Sequence, residues 1–538
     1  MKKDLSVLAV ISAIALPTAA LSGGTTIVVD WAIDEEPGSN THTCTYAQGG
    51  LFQPDTTGPG AGRCTFRRAL REAGARPTSD QPISIVFTGL EVNGDGDDGS
   101  FDGTLGVWTL EMSDSASQSR LAIEGQSILD VSGNVTIDGG PQVNGGPAIF
   151  VDTEFPIEIE KQNNTIRRMG FFGGGSIQLK ESGNIFEDNT WGLSQDGNSI
   201  MFADPVGNAD NLAGAQGVNV TRDGNNATIR NNVLSGASTR AIEVNSMASG
   251  AQILNNFIGT RRDGTVPARP PAVECQAIGP FNVPPDPQDW YGGWGISLAG
   301  TGAVIEGNTL AGMQNLRSTN DTPPIAVEIF GASHTVQMNI VGEDSANSPA
   351  GTCGQGIKFS GDSHQIVDNM MVRVRAGFEN TDGALLWTDD TFTDEGGNTV
   401  RRNLSIDGPE KLYEMGPQIG TVIRTFEAAE ILTINGLNVT GGAGAGSPCP
   451  NCIIDFYLDD TDTNAEALAY LGSATANGSG DFTFTLPSNI GGGQGIRTTS
   501  TSQADNVIPG TLAGTTSEPS ELFVPILPEV IFTNGFEE

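Results

Sequence analysis

Ala227-Thr-Ile-Arg-Asn-Asn232 and Ala251-Gln-Ile-Leu-Asn-Asn256 are two copies of one template, and that template recurs along much of the chain. AVIEGN (303–308), HTVQMN (334–339), HQIVDN (364–369) and NTVRRN (398–403) repeat it, with a β-branched residue third and Asn sixth. NIFEDN (184–189) carries Phe at the third place, and NTIRRM (164–169) lacks the final Asn. Steps between copies are 24 (251−227), 31 (334−303), 30 (364−334) and 34 (398−364), with one of 52 (303−251) that holds an insertion. A second, weaker strand precedes most copies: Ile242-Glu-Val244, Ile296-Ser-Leu298, Val327-Glu-Ile329 and Ile357-Lys-Phe359 alternate apolar and polar residues as half-buried strands do. Short strands repeating at such steps, with no helical pattern between them, are the signature of a β-solenoid.

The sixth-place Asn has a physical reason to recur. With coils about 4.8 Å apart, a side-chain amide in a turn can bond the same amide one coil above and below. Asn189, Asn232, Asn256, Asn308, Asn339, Asn369 and Asn403 are therefore expected to form an internal ladder that satisfies buried turn groups. His334 and His364 fall at equivalent places 30 residues apart (364−334) and are expected to stack on the surface, with metal binding the alternative.

Composition agrees with a scaffold of strands and tight turns. Gly makes up 72 of 538 residues and charged residues only 17%. A formal net charge of −37 argues against nucleic acid and anionic lipid as partners, and against a polyanionic substrate without calcium. Lys2 and Lys3, an apolar run from Leu5 to Leu16 and then Pro17-Thr-Ala-Ala20 predict a secretory signal peptide over 1–22, a retained anchor being the alternative. No later run is apolar enough to predict a membrane span. Six cysteines suit export and fall into sequence-local pairs: Cys44 with Cys64, Cys275 with Cys353, and Cys449 with Cys452, although proximity only ranks the possible pairings. The CPNC tetrad (449–452) has no second CxxC to complete a zinc site, so a loop staple is the expectation.

Cys64-Thr-Phe-Arg-Arg-Ala-Leu-Arg-Glu-Ala73 resembles the CSLREA-type motif of bacterial exported β-helix proteins, departing from it at Thr65 and Phe66. Ile83-Ser-Ile-Val-Phe87, Val135-Thr-Ile-Asp-Gly139 and Asn256-Phe-Ile-Gly-Thr-Arg-Arg-Asp-Gly-Thr265 are similar to strands and a coil of that family, so the resemblance covers residues 44 to 410. It implies a right-handed parallel β-helix whose N-terminal end is capped by a short amphipathic helix. Residues 66 to 75 read as that helix, with Phe66, Leu70 and Ala73 on one face. Further on, Ile453 to Asp459, Tyr470 to Ser473 and Phe482 to Leu486 alternate at sandwich spacing, and the segment resembles the Ig-like module that often follows such helices. Val530 to Glu537 resembles a short C-terminal tail of secreted proteins from some Gram-negative bacteria, which implies an extracellular or cell-surface location.

The expected fold is thus all-β: signal peptide 1–22, cap and first coils 23–134, parallel β-helix 135–427, Ig-like β-sandwich 428–525 and tail 526–538. An active site is harder to find. Asn380-Thr-Asp-Gly383 and Asp389-Asp390 are similar to polygalacturonase carboxylates but lie seven residues apart (389−382), and the later motifs of that family are missing. Lys358 and Arg373 would serve a lyase but have no acidic cluster beside them in sequence. Asn93-Gly-Asp-Gly-Asp-Asp-Gly99 offers alternating oxygens for calcium, yet has Asp98 where a calcium loop of the EF type needs Gly. No catalytic residue, metal ligand or cofactor is assigned. The insertion from Arg261 to Trp294 is what scaffold physics does not demand, and Trp290, Tyr291 and Trp294 are its candidate ligand-binding residues, since flat rings stack on sugars. The alternative is that these rings shield the loop's own small core. The function expected is non-enzymatic binding of glycan or another extracellular surface by a monomer that enters no membrane. A polysaccharide lyase or glycoside hydrolase, and a purely structural surface protein, are the alternatives. A carboxylate-rich groove on one parallel sheet would favour the enzyme.

Overall fold

A computed structural model describes residues 24–32, 44, 46–47, 64–75, 80–91, 101–112, 133–152, 156–173, 175–199, 201, 216–237, 239–266, 294–313, 325–348, 355–374, 386–388, 396–406, 412–415, 425–442, 449–462, 464–505 and 512–525. A coil from its middle shows how the template folds. Thr228–Arg230 lies in a first sheet, Val233–Leu234 in a second, and Arg240–Val244 in a third, after which the chain re-enters the first at Gln252–Leu254. Repeating this course builds a right-handed parallel β-helix whose sheets hold twelve, eleven and nine strands. Register is exact in side-chain identity: Ile229, Ile253, Ile305, Val336, Ile366 and Val400 stack inward as successive Cα partners and are buried. The third-place β-branched residue of the template is this column, because a stiff branched side chain packs well on a pleated inner face.

The corner between first and second sheets is made by the sixth-place Asn. The residue before it takes the left-handed conformation at Asp188, Asn231, Asn255, Met338, Asp368 and Arg402, with φ from 53° to 59°. That conformation turns the chain sharply and aims the Asn side chain inward. The backbone N–H of Asn232 donates to Asn256 Oδ1 at 3.0 Å, and the pattern continues through Asn308, Asn339, Asn369 and Asn403 at 2.9–3.1 Å. Each Asn Nδ2 also donates back to the previous coil, as Asn339 Nδ2 does to Ile305 O at 3.0 Å. The ladder is therefore complete in both directions.

The corner between third and first sheets carries a second ladder at the template's first place. Asn184 Oδ1 accepts from Asn164 N–H at 2.9 Å, His334 Nδ1 from Ala303 N–H at 3.1 Å, His364 Nδ1 from His334 N–H at 3.2 Å, and Asn398 Oδ1 from His364 N–H at 2.9 Å. The expected surface stack of histidines is corrected here. Their rings do stack, with centroids 5.1 Å apart and 10° between planes, but both residues are wholly buried. Each imidazole replaces an Asn, its Nδ1 accepting from backbone while Nε2 reaches the carbonyl of Phe330 or Ser360. With both nitrogens so engaged, neither ring has a free site for a metal. In the same bend Gly331 has φ 104°, and a Cβ there would stand 2.0 Å from Gly300 O, so coil-on-coil contact admits only glycine.

The helix Phe66–Ala75 covers the first coil, with Phe66, Ala69, Leu70 and Ala73 buried in the solenoid core. Thr65 is its N-cap, since Oγ1 accepts from Arg68 N–H at 3.2 Å. A disulfide joins Cys44 to Cys64, the residue before that cap. At the other end Ile431–Asn435, Asn438–Gly441 and Phe482–Thr485 form one antiparallel sheet, and Ala469–Thr475, Ile453–Asp460 and Gln494–Thr501 another. They pack as a β-sandwich: Phe456 of one sheet stacks on Phe484 of the other at 4.1 Å, and the Cys449–Cys452 disulfide is buried between them.

This sandwich seals the solenoid. Val400 N–H on the last first-sheet strand donates to Thr516 Oγ1 at 3.0 Å, and Gly397 N–H donates to Thr515 Oγ1 at 2.9 Å. Ser405 and Ala467 exchange backbone hydrogen bonds at 3.0 and 3.2 Å. Arg401 grips the fully buried Asp455 bidentately at 2.6 and 2.7 Å. Tyr457 and Ala467 enter the solenoid's own core. An open last coil would expose unpaired strand groups, and the sandwich supplies their partners.

Candidate functional site

Third-sheet strands run from two to five residues, and in the three-residue ones at its start alternation leaves one outward side chain per coil. In Ile157–Ile159, Ile177–Leu179 and Val218–Val220 the flanking residues are buried and the middle one is half-buried. Register pairs align the outward positions as Glu158, Gln178, Asn219, Glu243, Ser297, Glu328 and Lys358. The sheet thus aligns polar groups in a single file parallel to the solenoid axis, in which Glu158, Gln178, Asn219, Glu243 and Lys358 are half-buried and Ser297 and Glu328 are buried.

Cations along this file bridge coils. Lys180 pairs with Glu158 and, at 3.3 Å, with Glu160. Arg240, at the start of its strand, donates from Nη1 to Glu243 Oε1 at 2.8 Å, and its Nη2 lies 3.9 Å from Glu328 Oε2 two coils on. Gln216 Nε2 donates to Glu243 Oε2 at 2.5 Å, Asn219 Nδ2 to Gln216 Oε1 at 3.3 Å, and Ser297 Oγ to Glu328 Oε2 at 3.2 Å. Asn219, Gln216, Glu243, Arg240, Glu328 and Ser297 are thereby one connected network, which fixes rotamers that a solvated surface would leave free. Arg240 Nε is buried without a hydrogen-bond partner among the described residues.

Of the aromatic candidates, Trp294 opens the strand Trp294–Leu298 and is the Cα partner of Arg240. Its ring is half-buried, with the Arg240 guanidinium 5.3 Å from its centroid, so one face is already occupied by a cation. Trp290 and Tyr291 lie outside the described residues, as do Cys275 and Cys353, the 380–383 and 389–390 segments, and the 93–99 run. Lys358 has the acidic neighbour that its sequence surroundings lack, for Glu328 is its Cα partner on the adjoining coil. A carboxylate row on one parallel sheet is present, but the described carboxylates nearest a cation, Glu158, Glu243 and Glu328, are held by Lys180 or Arg240.

The reading of sequence alone missed Arg240, Glu243, Glu328 and Lys180. Glu243 and Glu328 were visible as the middle of alternating triplets, but nothing local marks Arg240 as their common partner. Elsewhere, among the described residues, carboxylate oxygens of Asp460, Asp462 and Glu466 fall within 4.8 Å of one another, a spacing a divalent cation could use. Within that loop Asp460 Oδ1 and Asp462 Oδ1 already accept N–H groups from residues 462 and 464. No described helix is long and apolar enough to cross a membrane.

Neither a family model nor a curated protein matches the chain. Among solved structures it is similar to the ORF18 protein of Geobacillus virus E2, at 11% identity and TM-score 0.33, covering 78% of this chain and 72% of that one. The Dettilon tailspike protein follows at 12%, 0.27, 81% and 74%, and a mutant tailspike of E. coli bacteriophage HK620 in complex with a pentasaccharide at 10%, 0.29, 82% and 91%.

Proposed function

We propose that this chain is an exported surface protein that binds glycan, without cleaving it, on the outer face of the third sheet. The observation that carries the reading is the polar file from Glu158 to Lys358, hydrogen-bonded into one network between Asn219 and Glu328, with the Arg240–Trp294 stack at its edge. Sugar hydroxyls both donate and accept, and the file offers carboxylate, amide, hydroxyl and cationic groups side by side. Its carboxylates and the chain's charge of −37 disfavour an acidic polysaccharide. A glycan array followed by calorimetric titration with the best neutral oligosaccharide tests it. Arg240→Ala should weaken binding roughly tenfold or more, because it removes the bridge that orients two carboxylates. Unchanged affinity in that variant, with an unchanged far-ultraviolet spectrum, would place the site elsewhere. Release of reducing ends or unsaturated uronate from the bound glycan would replace this reading with the polysaccharide-cleaving one.

A further inference from the structure

We propose that the C-terminal sandwich docks an extended cationic segment of a partner protein, one in which Lys or Arg alternates with apolar residues. The site is a groove of about 490 Å³ at the side of the sandwich, between residues 426–431 and 518–523. Both walls hang from one strand, Gln494–Thr501. Ala429 N–H donates to Ser500 Oγ at 2.9 Å, and Thr498 Oγ1 donates to Ala429 O. On the other side Ser520 N–H donates to Thr498 O at 2.8 Å and Phe523 N–H to Ile496 O at 3.0 Å. The groove is therefore fixed before a ligand arrives, which lowers the ordering cost of binding. It belongs to the other domain and is independent of the glycan reading.

Its floor is apolar and its rim acidic. Phe426 and Ile431 belong to the sandwich core, and Phe523 packs against that core. Leu432 and Val524, the next residues along the two walls, are 54% and 47% exposed, so apolar surface continues out of the groove on both sides. Exposed apolar surface with a polar rim marks an interaction site. The rim is Glu427, Glu430, Glu518 and Glu521, and among the described residues no Lys or Arg lines the groove. Glu518 accepts from Met415 N–H at 2.7 Å, whereas Glu427, Glu430 and Glu521 are exposed and enter no ion pair among the described residues. A cation is what such a rim complements. A second copy would bring like carboxylates together, and the chain's own residues 526–538 carry Glu529, Glu537 and Glu538 with no cation, so neither fits. A bulge between Ile431 and Thr433 on one wall and Pro519 on the other interrupt edge pairing. Side chains rather than a backbone ladder thus hold the occupant, apolar ones on the floor and cations at the rim.

The test is fluorescence anisotropy of labelled short peptides with the full chain: alternating Leu and Lys, alternating Ser and Lys, and alternating Leu and Glu. The Leu-Lys peptide should bind at least about tenfold tighter than either of the others. Glu521→Lys should weaken it roughly tenfold and Leu432→Ser roughly threefold or more. Asp223→Lys, the same charge change on an exposed solenoid turn, should leave it unchanged. All three positions are exposed, so the variants keep the fold. Equal affinity for the Ser-Lys peptide, or an equal loss in Asp223→Lys and Glu521→Lys, reduces the binding to attraction by net charge and overturns the groove. A Leu-Glu peptide that binds as tightly overturns the cationic partner. No binding of the Leu-Lys peptide, or unchanged affinity in both Glu521→Lys and Leu432→Ser, overturns the proposal outright.

Discussion

Asn339 shows how much one side chain does in a solenoid. Its Oδ1 accepts from Asn308 N–H and Nδ2, and its Nδ2 donates to Ile305 O and to Asn369 Oδ1. Asn339→Leu should destabilise the protein by about 1–3 kcal/mol in urea unfolding, because the amides above and below lose buried partners; no change in midpoint would contradict the ladder. The histidine pair yields a prediction of opposite kind. Burial pushes His364 down to about 4 and His334 down as well. In the unfolded chain both titrate near 6.5. Between those values the unfolded state carries protons that the folded state lacks, so stability is full above about pH 6.5 and falls as pH drops toward 4. For His364 the loss is on the order of 3 kcal/mol. His364→Asn should keep the ladder, since Asn fills the equivalent places at 164, 184 and 398, and should flatten that dependence; a pH profile as steep as the parent's would assign it to other groups. The Asn ladder was legible because one residue type repeats at one place. Burial of the histidines was not, because a turn position does not reveal which way its side chain points.

At the scale of the element, strand location follows from alternation and from the template, while coil-to-coil partnership does not. Ile357-Lys-Phe359 announces a half-buried strand, but the neighbour of Lys358 depends on coil lengths, and these vary with every insertion. That is why Arg240 and Glu328, two coils apart, carry no joint signal in sequence. The left-handed corner residues are equally silent, being Asp, Asn, Met and Arg by turns. Glycine at the opposite bend is more demanding. Gly331→Ala places a Cβ 2.0 Å from Gly300 O on a backbone with φ 104°, and Gly361 stacks on Gly331 in the same way. The variant should lose more than about 1 kcal/mol in thermal or denaturant unfolding. An alanine accommodated without loss would mean that the coils approach less closely than described. The cap helix, by contrast, was legible from Phe66, Leu70 and Ala73, because an amphipathic helix at the end of a solenoid has one apolar surface to cover.

As a whole molecule, the chain is a polar file carried on a rod closed at both ends. The C-terminal sandwich is joined to the last coil through Arg401 and Asp455, Val400 and Thr516, and Ser405 and Ala467. Asp455→Leu leaves a largely buried guanidinium without its carboxylate, at a cost of about 3–5 kcal/mol. Calorimetry should then resolve separate sandwich and solenoid transitions where the parent shows one, and a single unshifted transition would make the closure incidental. The binding claim is tested most directly by hydroxyl-radical footprinting of the full chain with and without the neutral oligosaccharide that binds best. Trp294, on the third-sheet edge beside Arg240, should be protected. Met338, half-exposed at the opposite corner between first and second sheets, should react as before. Protection of Met338 with none at Trp294 would contradict the assignment of the third sheet as the binding face.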